Sequence, residues 1–188
     1  MKIYVLVYDG YAHFEADLVG WIKGRSHELV TVSLGAAEVE AVEGFIIKPH
    51  MLIEQVDVND VDVFIIPGGD APSILGNETL QNVLIQLNEQ NKLIGAICYG
   101  TLLLADAGIL RDRKFTTSVT TDLELFTVFN KDKFLDTGMV VDGNIITAKG
   151  DAYVEFALAV CRLADLTPQN ALTYWSNFFR SREELVQQ

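Results

Sequence analysis

The chain has 188 residues, 49% of them hydrophobic, which is enough for one domain, 1–188, with a sizeable buried core and leaves no call for a second. Fourteen basic residues stand against 26 acidic ones, a net charge of −12 that repels phosphate backbones and anionic lipid headgroups, so neither nucleic acid nor a membrane is expected as a partner. Two cysteines are too few for a disulfide framework, and they lack the clustered spacing of a zinc site.

Lys2 leads straight into a strand-length apolar run, 3–8, without the longer apolar region and small-residue cleavage site of a secretory signal; the expectation is a cytoplasmic protein. A helix is predicted over 14–23 and a strand over 29–34. The segment 38–50, with Glu43-Gly44 as its turn, reads as an antiparallel addition. A strand at 63–67, a helix over 79–90 capped by Asn77, and a strand at 93–97 follow. The next helix, 101–107, is closed by Gly108. The apolar stretch 93–110 approaches membrane-spanning length, but Gly95, Tyr99, Gly100, Thr101, Asp106 and Gly108 make it a buried strand followed by a buried helix. A second antiparallel addition, 139–148, turns at Asp142-Gly143, and a helix over 152–164 takes Asp151 as its cap. On that helix Cys161 shares one face with Ala157, Val160 and Ala164, as a small core residue does. A last amphipathic helix, about 168–180, carries Leu172, Trp175, Phe178 and Phe179 ahead of a charged tail, 181–188.

Strands alternating with helices predict a three-layer α/β/α sandwich with a mostly parallel, flavodoxin-like sheet and small antiparallel additions. Ligands of such sheets bind beyond the carboxyl ends of the strands. Four ends carry suggestive residues: Asp9 to Glu15, Pro67-Gly-Gly-Asp70, Cys98-Tyr-Gly100, and Ala148-Lys-Gly-Asp151. Cys98 stands out, because an apolar strand ends on it and a helix begins just after. That is the pattern of a nucleophile elbow, whose helix N-terminus favours a thiolate.

The chain resembles the ThiJ/PfpI superfamily, which includes the Parkinson-disease protein deglycase and has a class I glutamine amidotransferase-like fold. The likeness runs from about residue 2 to 164. It rests on Tyr8-Asp-Gly-Tyr-Ala-His-Phe-Glu15, Phe64-Ile-Ile-Pro-Gly-Gly69, Ala96-Ile-Cys-Tyr-Gly100 followed by Leu103-Leu-Ala-Asp-Ala-Gly-Ile-Leu110, and Ile146-Thr-Ala-Lys-Gly150 with Glu155-Phe-Ala-Leu158. The resemblance implies that Cys98 is the nucleophile, that Glu15 is a carboxylic acid hydrogen-bonded to its sulfur, and that the N–H groups of Gly69 and Tyr99 form an oxyanion hole. A carboxyl buried beside a thiolate is expected to keep its proton and donate it. Gly68 lets the backbone approach a ligand closely. Asp70 is read as a helix cap or a pocket residue. His13 lies two residues before Glu15, and His50 aligns loosely with a family segment near the site and a dimer contact. Lys149 is read as a strand-end lysine in water or a contact for an anionic substrate group.

The chain also departs from the family pattern. Protease-like members have histidine directly after the cysteine, where Tyr99 stands here. Deglycase-like members place a supporting histidine in a stretch like Lys114-Phe-Thr-Thr-Ser-Val119, where Ser118 stands here. Serine cannot act as a base near neutral pH. No histidine follows His50, so glutamine amidotransferase chemistry, which needs one late in the chain, is not expected. Three readings remain: a cofactor-independent, glyoxalase- or deglycase-like enzyme acting on small carbonyl compounds; a redox-responsive stress or regulatory protein whose Cys98 is reversibly oxidised; and a cysteine peptidase or other hydrolase. No cofactor or metal is expected. The resemblance implies a homodimer.

Overall fold

Val63-Phe-Ile-Ile66 contains no polar side chain, a composition that suits a strand covered on both faces. In the computed structural model, which describes residues 1–35 and 37–180, this strand is β6 (Val63–Ile66), and all four residues are fully buried. It sits at the middle of a seven-stranded sheet with β1 (Lys2–Leu6), β2 (Glu28–Ser33), β5 (Met51–Leu52), β7 (Leu93–Ile97), β8 (Met139–Asp142) and β9 (Ile145–Ala148), in the order β5-β2-β1-β6-β7-β9-β8. Every pairing is parallel except that of the edge strand β8 with β9. Five of these strands, β2-β1-β6-β7-β9, run in the flavodoxin-like order.

The hairpin of β3 (Val39–Glu40) and β4 (Ile46–Ile47) is antiparallel, as expected of 38–50, and forms a separate two-stranded sheet. The reading of 139–148 as a purely antiparallel addition is corrected. β9 pairs parallel with β7 and belongs to the main sheet, and only β8 is an addition. Strand β5 gave no sequence signal, being two residues long.

The helices are α1 (Phe14–Ile22), α2 (Glu78–Glu89), α3 (Thr101–Asp106), α4 (Tyr153–Leu163) and α5 (Gln169–Arg180). α1 packs on α4, which also carries α5, while α2 packs on α3. Asn77 caps α2 as predicted, its side chain accepting from the Leu80 N–H at 2.9 Å. Asp151 does not cap α4: it lies inside a 3-10 turn, Gly150–Ala152, and makes no side-chain cap bond. Gly108 closes α3 with φ +74°, the Ile109 N–H reaching Leu104 O and the Gly108 N–H reaching Ala105 O. This is the Schellman pattern. Asn91 and Asp165, both at positive φ, close α2 and α4 in the same way.

The stretch between α3 and β8 shows no period in sequence. It is organised by Phe115, Phe126, Phe129 and Phe134, with the rings of Phe115 and Phe129 stacked at 4.8 Å. The predicted tail 181–188 lies outside the described residues. Among the described residues no helix is long and apolar enough to cross a membrane.

Candidate active site around Cys98

The chain starts in the middle of the sheet, adds β2 on one side of β1 and later β6 on the other, so the strand order reverses between β1 and β6. The loops that leave these two strands are joined by a bridge between Tyr11 and Gly69. It is made by the Ala12 N–H to Gly68 O at 2.9 Å and the Asp70 N–H to Gly10 O at 2.9 Å, which leaves the Gly69 N–H outside the pairing. Gly69 has φ +97°, and a Cβ there would lie 2.1 Å from Gly10 O. Tyr8 braces the same turn from beneath, its buried hydroxyl lying 2.9 Å from Pro67 O and 2.7 Å from Gly68 O.

Cys98 follows β7, next to β6. Its φ is +56°, and unlike Asn91 and Asp165 it closes no helix. A β-carbon in this region is strained, by about 1–2 kcal/mol. The elbow is confirmed in shape and modified in detail: Cys98–Gly100 is a 3-10 turn, and α3 after it has only six residues. The turn fits against β6 because Gly100 has no side chain; a Cβ there would lie 2.5 Å from both Ile66 O and Pro67 O. From behind, Thr101 Oγ1 lies 2.8 Å from Cys98 O and 2.7 Å from Thr117 Oγ1, holding the elbow to the irregular segment that carries Ser118.

Glu15 comes from the first turn of α1, and it is 2% exposed rather than solvated. Its Oε2 accepts from the Gly68 N–H at 2.6 Å, and the carboxyl is hydrogen-bonded to the Cys98 sulfur. Two glycines make room for the pair. A Cβ on Gly68 would lie 2.7 Å from Cys98 Cβ and 2.9 Å from Glu15 Oε2; one on Gly150 would lie 3.0 Å from Glu15 Oε1 and 3.3 Å from Cys98 Sγ. Ser118 completes the setting, accepting from the Gly150 N–H at 2.9 Å while its hydroxyl hydrogen-bonds the sulfur. The Tyr99 N–H also reaches the sulfur.

Burial, then the facing Glu15 carboxylate, push the Cys98 thiol up to about 11, against the Ser118 hydroxyl and the Tyr99 N–H. Burial likewise raises the Glu15 carboxyl, against the Gly68 N–H. The elbow alone therefore does not acidify Cys98, contrary to the expectation from the sequence. Two groups that oppose each other's charge do not ionise together, so the pair gives up its last proton only at high pH. A raised Glu15 implies that the folded state binds more protons than the unfolded chain above the ordinary carboxylate value of 4.5. Stability contributed by this group is complete below 4.5 and is lost as pH rises through the raised value. Glu15→Gln cannot titrate, so its Tm is expected to fall less than that of wild type as pH rises from 4, as thermal unfolding against pH will show.

The three histidines lie elsewhere. His13 sits at the start of α1 with its Nδ1 2.8 Å from the Tyr11 hydroxyl. His50 contacts Thr31 at 2.7 Å beside the edge strand β5, four places from β7 in the sheet. The remaining histidine, His27, meets Leu166 O at 3.0 Å. Asp70 stands at the start of a 3-10 turn, Ala71–Ile74, without a side-chain cap bond. Lys149 is ion-paired with Asp136 rather than free in water. Tyr8, Gly150 and Thr117 lie in stretches that the sequence singled out, but no role was assigned to them there. Nor was a site role assigned to Glu43, whose carboxylate accepts from the His13 and Phe14 N–H groups, each at 3.1 Å, and so fixes the α1 turn that bears Glu15.

Fold and site together define an α/β protein with a strained cysteine elbow at the topological switch of its sheet. Residues 1–163 match the DJ-1/PfpI family, and the chain belongs to it. Among similar curated proteins, a deglycase of Thermococcus kodakarensis is 29% identical over 157 residues, covering 81% of this chain and 93% of that protein. A Bacillus subtilis protein named as an uncharacterized protease is 29% identical over 191 residues, covering 93% and 88%. Among solved structures, a thiJ/pfpI family protein from Bacillus anthracis superposes with a TM-score of 0.84 at 24% identity, covering 97% of this chain and 91% of that one. A DJ-1 superfamily protein from Agrobacterium tumefaciens gives 0.83 at 22% identity, covering 95% and 97%.

Proposed function

We propose that the protein is a cofactor-independent enzyme that uses Cys98 to attack small carbonyl compounds, in the manner of glyoxalase and deglycase activities. The observation that carries this is the buried Glu15 carboxyl hydrogen-bonded to the sulfur of a strained cysteine. The sulfur collects more donors than the carboxyl does. Ser118 and the Tyr99 N–H face Sγ, whereas the Gly68 N–H faces Glu15 and a thiol is a weak donor. In this reading the proton rests on Glu15, which donates it to a thiolate.

Attack on an aldehyde forms an S–C bond while the carbonyl π pair moves to oxygen. The developing alkoxide is received by the Gly69 and Tyr99 N–H groups and takes the Glu15 proton, which gives a neutral hemithioacetal and a Glu15 carboxylate. That carboxylate is then the base for the next proton transfer. The test is turnover of methylglyoxal and related carbonyl compounds by wild type and Cys98→Ala. Loss of turnover in the variant supports the reading; equal rates, or none in either protein, sink it.

A second reading, reversible oxidation of Cys98, is supported by the contrast between a half-buried Cys98 and a fully buried Cys161. Mild peroxide followed by mass spectrometry should then place oxygen on Cys98, and preferential oxidation of Cys161 would count against it. Peptidase chemistry is the least supported, because each of the three histidines is engaged away from Cys98. The acting species is proposed to be a cytoplasmic homodimer. Exposed Phe14, Phe45 and Ile46, around the α1 start and the β3–β4 hairpin, support a second copy as partner. Sedimentation at micromolar concentration measures it.

A further inference from the structure

Near Cys98 opens a cleft of about 460 Å³, lined among others by Ser118, Thr120, Thr121, Phe134, Asp136 and Lys149. Two residues link its wall to the nucleophile. Ser118 lines the cleft and hydrogen-bonds the sulfur. Gly150, next in sequence to the lining Lys149, packs so closely that a Cβ on it would lie 3.3 Å from Sγ.

The size and the wall chemistry both speak about the substrate. A cavity of this volume is in the range that houses a metabolite-sized ligand, more than a three-carbon aldehyde fills. The wall is rich in hydroxyls, and its charged element is a salt bridge between Lys149 and Asp136. An ammonium donor fixed beside a carboxylate acceptor matches a vicinal diol, one hydroxyl accepting from Lys149 while its neighbour donates to Asp136. Asp151 also lines the cleft, so its charges sum to one excess negative, which disfavours an anionic tail.

We propose that this cleft binds the hydroxylated carbon chain of the substrate, which is a sugar-sized, uncharged hydroxy-aldehyde or 2-oxoaldehyde rather than methylglyoxal. The assignment rests on the Cys98 chemistry above only for the position of the carbonyl. The Lys149–Asp136 pair selects the tail and takes no part in bond making.

Two measurements test it. The first is kcat/KM for the six-carbon 2-oxoaldehyde 3-deoxyglucosone and for methylglyoxal in wild type, Lys149→Met and Asp136→Asn. Wild type is expected to favour the six-carbon compound by at least about ten-fold, and each variant to lower that ratio by about ten-fold or more. Equal or better use of methylglyoxal by wild type, or a ratio that neither variant moves, overturns the proposal. The second is amide shift perturbation by sorbitol, which has no carbonyl, in the Cys98→Ala protein. Shifts centred on Thr121 and Lys149 and abolished by Lys149→Met are expected; their absence overturns the subsite. If neither aldehyde is turned over, the Cys98 reading falls, and the sorbitol shifts alone then decide whether the cleft binds polyols.

Discussion

Gly100→Ala is expected to leave little folded protein. The backbone at Gly100 has φ −58°, which alanine adopts freely, so the penalty is wholly one of space. The added methyl would lie 2.5 Å from the carbonyl oxygens of Ile66 and Pro67, and neither can yield alone. Ile66 is the last residue of the central strand, and Pro67 O is held by Tyr8. Relief requires the elbow to lift off β6, which also pulls Cys98 away from Gly68 and Glu15. Overpacking against backbone costs about 3 kcal/mol or more, a large part of the roughly 5–15 kcal/mol that holds a domain folded. Denaturant unfolding should show a midpoint far below wild type or no soluble protein; a change below about 1 kcal/mol would mean that the elbow is not seated as described.

Cys98→Ala and Glu15→Gln are expected to separate the two halves of the chemistry. Removing the sulfur removes the bond-forming atom, and turnover should fall to background. Glu15→Gln keeps the shape and a hydrogen-bond donor but has no proton to deliver and no carboxylate to take one back, so kcat should fall about 10²–10⁴-fold with a smaller change in KM. Fold is not at risk in either variant. At φ +56° alanine is strained as cysteine is, whereas Cys98→Gly is expected to be about 1 kcal/mol more stable than Cys98→Ala while equally inactive. Strain without a packing reason, at a residue that chemistry requires, is the pattern of a site maintained at the expense of stability. If Cys98→Gly gains nothing over Cys98→Ala, the elbow is unstrained.

Much of this site was legible in the sequence because its parts lie at strand ends. β7 has the predicted bounds, Cys98 follows it directly, Gly68 comes two residues after β6, and Glu15 lies in the first turn of the helix after β1. The rest depends on contacts between distant segments. Glu43 reaches the start of α1 from 29 and 30 residues away, across the hairpin turn, and nothing in Glu43-Gly44 announces it. Lys149 and Asp136 meet because β8 and β9 form a hairpin at the sheet edge, so a lysine read as solvated belongs to an ion pair in a cleft. Between α3 and β8 no periodicity existed to read, since short 3-10 turns are held by phenylalanines rather than by a repeating face. His50 lies far across the sheet, because the short strand β5 that follows it pairs outside β2.

Ser118 and Tyr99 replace the histidines that the family resemblance led one to look for, and their arrangement moves the weight of the chemistry onto Glu15. That makes the location of the shared proton the central claim, and the pH dependence of Cys98 alkylation by iodoacetamide, followed by peptide mass spectrometry, measures it most directly. With the proton on Glu15 and the charge on sulfur, the rate should reach its plateau well below the ordinary thiol value of 9.0. A rate that climbs without a plateau to about pH 11 would place the proton on sulfur and contradict the account.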